Sequence, residues 1–401
     1  MTQLSESVLA RLSVLPSENF DGGLPIFQTV KDALAANTSD SAFAVLYPQS
    51  IADMAGRFLD GFPGKTVYAV KANPHPAVLS TLWSAGIRAF DVASIAEIDL
   101  IQSLCPDAEL YLMNPVKSRQ TIRHGYDAGI RHFAFDCTDE LQKIVDETSG
   151  ARDLNLHLRI ALPSSTARLP LMEKFGADAD EAVDLLRAAR SVAARLGAAF
   201  HVGSQCHEPD SFVRAIAHVR ELIDAADVQV DSLDCGGGFP VDYPGMAPPD
   251  LKHFFSAIFS GLTSSGFDGV TVLGEPGRAL CAPGGSTLAR VELRKGDTLY
   301  INDGAYGTLF DAGTFGWRFP VVCHRSTPGG KSDTLKPYRL FGPTCDSLDR
   351  MDGPFDLPAD IQEGDWIEFG CLGAYGQAMQ TRFNGFEIRQ TVAVLTPSFG
   401  C

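Results

Sequence analysis

From Thr66 onward, short apolar runs take turns with segments whose apolar residues recur every three or four positions. The runs "TVYAVKAN", "RAFDVAS", "LYLMN", "FAFD", "NLHLRIAL", "AFHVGS", "VDSLDCGG" and "VTVLGEPG" predict eight strands with helices between them. The clearest helix lies between the fifth and sixth runs. Asp178 or Asp180 can cap its start, Val183, Leu185, Leu186, Ala189, Val192, Ala193 and Leu196 fall at helical spacing, and Gly197 suits its C-terminal end. Eight strand–helix units over roughly 210 residues are what a (β/α)8 barrel needs, because parallel strands covered on both faces read as nearly continuous apolar runs. After about Arg278 the pattern changes. "STLARVELRKGDTLYINDG", "WRFPVVCH", "KPYRLFGPTC" and "DWIEFGCLGAY" are β-rich and broken by Gly, Pro and Asp, without comparable helices. The predicted class is therefore α/β: a (β/α)8 barrel over residues 40–275, and a mainly antiparallel β domain formed by 1–39 and 276–401. The run "AFAVLYP" near residue 45 could pair with either.

The chain of 401 residues is 45% hydrophobic and 20% charged, enough apolar surface for a large core. Its formal charge of -16 argues against a nucleic-acid groove or an anionic membrane as partner, since both need clustered Lys and Arg. A small metabolite fits better. The start, "MTQLSESVLARLSVLP", has no basic stretch followed by a long apolar run, and no run of about 18 apolar residues occurs, so a cytoplasmic location is expected. Nine cysteines without a Cys-x-x-Cys pair indicate neither a disulfide framework nor a zinc ribbon, and no metal site is expected.

Barrel active sites form at the C-terminal ends of the strands, and the polar residues there are unusual. They are Lys71, Asp91, Asn114, Arg159, His201 with Ser204, the glycines Gly236, Gly237 and Gly238, and Glu275 with Arg278. Taken singly, each has a bland explanation: a snorkelling lysine, a satisfied core histidine, a glycine loop. Together they suggest chemistry. A lysine that loses hydration has a lowered pKa and becomes available for Schiff-base formation. Backbone amides of "GGGFP" and "EPGR" can approach a phosphate closely. With an acid at the last strand to pair with a pyridine nitrogen, the set points to pyridoxal 5'-phosphate.

The segments "YAVKAN", "HVGSQC", "DCGGGFP", "GEPGR", "GPTCDSLD", "GAYG" and "FNGF" resemble, in order, the fold type III pyridoxal-phosphate decarboxylases, the ornithine, lysine, arginine and diaminopimelate enzymes built on an alanine-racemase-like barrel plus a β domain. The resemblance runs from about residue 20 to the C-terminus, and "GPTCDSLD" is nearest the ornithine form. It implies that Lys71 carries the cofactor, His201 stacks on its ring, Asp91 and Arg159 lie around it, and Glu275 holds the pyridine nitrogen. Phosphate contacts would come from Ser204, the glycines 236 to 238, Gly277, Arg278 and Tyr375. Cys345, as proton donor, and Asp346 would reach into the site of a second subunit, with Tyr306 of "DGAYG" beside the substrate, so a homodimer with shared sites is implied. One departure stands out. Ornithine decarboxylases place a Tyr-Asp pair shortly after "DGxYG", where this chain has Thr314, Phe315 and Gly316; Asp311 is the nearest acid. The expected function is decarboxylation of a basic L-amino acid, L-ornithine before L-lysine or a related diamino acid. The alternatives are a diaminopimelate decarboxylase and a non-catalytic, cofactor-binding regulatory homologue. "ALPSSTARLPLMEKFG", residues 161 to 176, is expected to form a loop over the site, and Lys174 within it is the rival to Lys71.

Overall fold

The computed structural model describes residue 12 and residues 23–163, 165–171, 173–326 and 332–399. Eight parallel strands close into a barrel in chain order: Lys65–Ala69, Ala89–Asp91, Glu109–Leu112, His132–Phe135, Asn155–Arg159, Arg195–Ala199, Ser232–Asp234 and Thr271–Gly274. The last pairs back onto the first, Leu273 opposite Lys65. The two faces of each strand go to different cores. Tyr68, Phe90, Leu112, Phe133 and Leu156 point outward and join the large cluster under the helices, whereas Val67, Ala89, Tyr111, Ala134 and Leu273 pack inside the barrel.

The sixth strand begins earlier than its apolar run predicts. The preceding helix, Ala179–Val192, is capped by Asp178, whose carboxylate accepts from the amides of Asp180 and Glu181, but it stops before Gly197. Gly197 lies within the strand because only a residue without Cβ fits there, against Ser232 Oγ and His157 Nδ1. Residues 200–204 are then the strand's exit, not the strand itself.

The second sheet has nine strands. Its long strand Gly285–Lys295 pairs antiparallel with Phe43–Leu46, Thr298–Ile301 and Trp366–Phe369, while Thr391–Val394 runs parallel to Phe43–Leu46. It is thus mixed, mostly antiparallel. Phe43–Leu46, which either domain could have claimed, belongs to this sheet, so a boundary at residue 40 falls too early; Phe43 and Val45 share a cluster with Leu288, Trp366 and Val392. Cys371 is disulfide-bonded, which the scattered cysteine spacing does not announce. Among the described residues no helix is long and apolar enough to cross a membrane.

Candidate active site

The strand ends gather their polar residues at one mouth of the barrel. Lys71 leaves the first strand on a short 3-10 turn, Val70–Ala72, and its Nζ donates to Asp91 Oδ2 at 3.0 Å. Asp91 ends the second strand and is buried; its other oxygen accepts from the Met113 amide at 3.2 Å. This carboxylate is the main cause of a raised Lys71 pKa, and with Glu275 and Tyr375 it outweighs burial. The expectation of a neutral lysine is therefore corrected. The ammonium form is favoured, held by Asp91, and its proton must leave before the amine can react.

His201, just past the sixth strand, is pushed well below its usual pKa by burial first and by the charges of Arg159 and Lys71 after it, so the ring is neutral. The Gly203 amide donates to its Nδ1 at 2.9 Å, which leaves the ring proton on Nε2. Arg159 ends the fifth strand; burial disfavours its charge, while Glu275, Asp234, Asp136 and Asp91 support it.

Glu275 follows the eighth strand, its amide bonded to Gly236 O at 2.8 Å. Burial first, then Asp234 and Asp91, raise its pKa well above the carboxylate range. Its Oε1 is buried without a hydrogen-bond partner among the described residues. A bare buried acceptor costs about 1–3 kcal/mol, so a donor entering this cavity would recover that. Asp234, at the end of the seventh strand, stands against Glu275 and accepts from the Gly236 amide at 2.8 Å; its pKa too is raised by burial. Its position at the head of "DCGGGFP" is the sequence signal for it.

Glycine turns with closely approaching backbone lie beside this group. Gly238, at φ +98°, approaches the backbone so closely that a Cβ would collide with Gly203 O. Ser204 is fixed by two backbone bonds to Leu169, of 2.8 and 3.1 Å, which ties this part of the predicted loop to the exit of the sixth strand. Gly277 lies against Ala72, and the Tyr375 amide donates to Ala72 O at 2.8 Å. The Arg278 guanidinium stacks 4.6 Å from the Tyr375 ring and 4.7 Å from the Trp317 ring. It also pairs with Asp311 at 2.7 Å, both side chains 7% exposed. Asp311 is therefore committed to Arg278 rather than offered to a substrate. Lys174 stacks on Phe175 instead of joining the cluster.

Tyr306, Cys345 and Asp346 line a different cavity, of about 800 Å³, in the sheet domain, and Lys71, Glu275 and His201 are not among its walls. Tyr306 OH donates to Asp346 Oδ2 at 2.6 Å; that bond and the Leu348 amide, the stronger influence, hold the Asp346 carboxyl below its usual pKa. The Cys345 amide donates to Asn384 Oδ1 at 3.0 Å, and the Cys345 side chain is exposed. Buried Asp349 joins the two loops, accepting from Ala305 at 2.8 Å and Thr344 at 3.0 Å. Asn384 and Asp349 were within the motifs "FNGF" and "GPTCDSLD" but had no assigned part. Within one chain the predicted residues thus form two groups.

The residues fit pyridoxal phosphate on two structural grounds: the bare Glu275 oxygen, which suits a protonated ring nitrogen, and the cation-lined glycine cradle, which suits a phosphate.

Known proteins resemble this chain in sequence and fold. Residues 49–282 match the pyridoxal binding domain of the pyridoxal-dependent decarboxylases, and residues 202–373 match their C-terminal sheet domain. The chain is 34% identical over 334 residues to lysine/ornithine decarboxylase of Selenomonas ruminantium, covering 81% of this chain and 82% of that protein. It is 32% identical over 361 residues to antizyme inhibitor 2 of Xenopus laevis, covering 82% and 76%. The solved structure of lysine/ornithine decarboxylase from Vibrio vulnificus complexed with putrescine superposes with a TM-score of 0.78 at 29% identity, over 91% of this chain and 97% of that one.

Proposed function

The chain belongs to the pyridoxal-dependent decarboxylase family, and we propose that it binds pyridoxal 5'-phosphate and decarboxylates a basic L-amino acid, L-ornithine before L-lysine or a related diamino acid. One observation carries the reading: Lys71 reaches from the barrel mouth to buried Asp91, and its charge is felt by buried Glu275, whose Oε1 lacks a partner among the described residues. Lys71 would hold the cofactor covalently and His201, neutral, would lie against its ring. Asp91 and Arg159 would flank it. Ser204, Gly236, Gly237, Gly238, Gly277, Arg278 and Tyr375 would hold its phosphate. The bound cofactor supplies an electron sink for the bond that breaks when CO2 leaves.

The chain's own residues do the rest. Asp91 would hold the Lys71 ammonium until its proton is passed on, Glu275, ionised once a cationic ring nitrogen stands against it, would keep that nitrogen protonated, and Cys345 would give a proton to Cα of the product. The distal ammonium of the substrate needs a carboxylate, since an unpaired buried charge costs several kcal/mol and a charge-assisted bond recovers roughly 1.5–3. With Asp311 engaged by Arg278, Asp346 oriented by Tyr306 is the acid left for that task. The Cys345 cavity and the Lys71 cluster lie apart in one chain, and Leu348, Phe383 and Phe386 are exposed apolar residues near Cys345. A homodimer that covers this face and completes each site with its neighbour's Cys345 and Asp346 accounts for both facts.

The test is CO2 release from L-ornithine, L-lysine, L-arginine and diaminopimelate by the purified, cofactor-loaded protein. Release is expected from ornithine or lysine well above the other two. Release chiefly from diaminopimelate would refute the substrate assignment. A yellow protein that releases CO2 from none of the four would refute catalysis and leave a binding role, such as the antizyme inhibitor's name describes.

A further inference from the structure

Outside the residues assigned so far, one cleft combines charge and shape in a way the decarboxylation does not use. It has a volume of about 410 Å³, and Arg168, Leu169, Met246, Phe315, Trp317 and Arg318 are among its walls. Among the described residues no acidic side chain lines it. Most arginines of this chain make ion pairs, as its acidic balance leads one to expect. The guanidinium groups of Arg168 and Arg318 make none among the described residues, nor any hydrogen bond or ring contact. Two unpaired cations facing one cleft repel each other, and that repulsion is relieved by an anion between them.

Both arginines sit on anchored backbone. The Arg168 amide donates to Gln205 O at 3.2 Å, and the neighbouring Leu169 makes its paired bonds with Ser204. Arg318 packs against Gly245, which adopts φ +84°; a Cβ there would stand 2.5 Å from the Arg318 Nη2. The glycine is what lets the guanidinium lie on the backbone at the edge of the cleft. The remaining wall is apolar and aromatic, with the Phe315 and Trp317 rings 5.7 Å apart. Trp317, one wall of the cleft, also carries the Arg278 guanidinium 4.7 Å from its ring, so the cleft adjoins the residues proposed to hold the phosphate.

We infer that Arg168 and Arg318 form a second anion subsite at the rim of the active site, one that takes a carboxylate or phosphate carried on a small apolar body. Arginine suits either group because its planar fork meets two oxygens at once, and the aromatic wall suits the carbon skeleton behind them. The oxyanion has two possible sources: the far end of an extended amino-acid substrate, or a free anion that occupies the rim.

The test uses the cofactor-loaded protein, so that the inner cradle is filled, at constant ionic strength. Inorganic phosphate and succinate are titrated while the tryptophan fluorescence, to which Trp317 contributes, and binding heat are followed. Saturable binding is expected, weakened at least about tenfold by Arg168→Ala or Arg318→Ala and partly kept by the Lys variants, as loss of one charge-assisted pair implies. Arg195→Ala, on the far end of the barrel, should change nothing. The KM for diaminopimelate against that for ornithine separates the two sources. A rise of about tenfold for diaminopimelate alone assigns the subsite to a substrate's far carboxylate, and unchanged KM values with weakened phosphate or succinate binding assign it to a free anion. Because binding is read directly, the result does not depend on which substrate is turned over. Absence of saturable binding to the wild type, or equal binding by the double Arg168→Ala, Arg318→Ala variant, overturns the inference.

Discussion

Asp311→Ala separates two meanings that a buried acid near this site can have. If Asp311 read the substrate's distal amine, its loss would raise KM and leave the fold intact. Its actual partner is Arg278, 2.7 Å away, and both side chains are 7% exposed. Tyr243 OH is the other hydrogen-bond partner of Arg278, at 3.3 Å, and its Nε has none among the described residues. Alanine would therefore leave a guanidinium buried between the Trp317 and Tyr375 rings with its charge uncompensated. Breaking a buried pair from one side costs about 3–5 kcal/mol. Asp311→Asn, which keeps an acceptor but loses the charge, should cost less, about 1.5–3 kcal/mol. Urea unfolding followed by circular dichroism measures both. The affinity for pyridoxal phosphate, followed by fluorescence, should fall in parallel because Arg278 is proposed to hold the phosphate. A variant that unfolds within 1 kcal/mol of wild type but shows a selectively raised KM for diamino acids would refute the reasoning and return Asp311 to the substrate.

Three further outcomes are expected. Mixing inactive Lys71→Ala and Cys345→Ala proteins should restore activity, to about a quarter of wild type for random exchange, since one site of each mixed dimer would keep both residues; exchange without recovery would place the whole site in one chain. Asn384→Gly should lower kcat about tenfold and alter the alkylation rate of Cys345 with little change in stability, because Asn384 holds the Cys345 amide while its own φ of +54° costs glycine nothing; Asn384→Asp, which retains the acceptor, should recover much of both. Burial first, with Asp349 adding, pushes Asp303 up to about 6, against the Thr308 bonds. The folded protein therefore prefers protonated Asp303, so this contribution to stability is full below about pH 4 and is lost as the pH rises through about 6. Asp303→Asn should remove that decline and gain up to ~3 kcal/mol at pH 7; identical pH profiles of unfolding for the two proteins would contradict it.

The architecture and the residues that end the barrel strands around Lys71 were legible in the sequence alone. A barrel strand is local: its apolar run, its length and the helix after it lie within about thirty residues, so eight such units are legible without any contact being known. Because barrel sites form where strands end, Lys71, Asp91, Arg159, His201 and Glu275 could be picked out as the residues at those ends. Tertiary structure decided what depends on distant neighbours. Gly197 reads as a helix stop in sequence, but Ser232 and His157 make it a strand residue. Phe43–Leu46 has no preference of its own until Gly285–Lys295 and Thr391–Val394 offer their edges. Asp311 could look like a substrate acid until Arg278, 33 positions earlier, claims it. The charge of Lys71 followed the same rule: burial alone would have lowered its pKa, and only the fold, by setting Asp91 at 3.0 Å, reversed the sign.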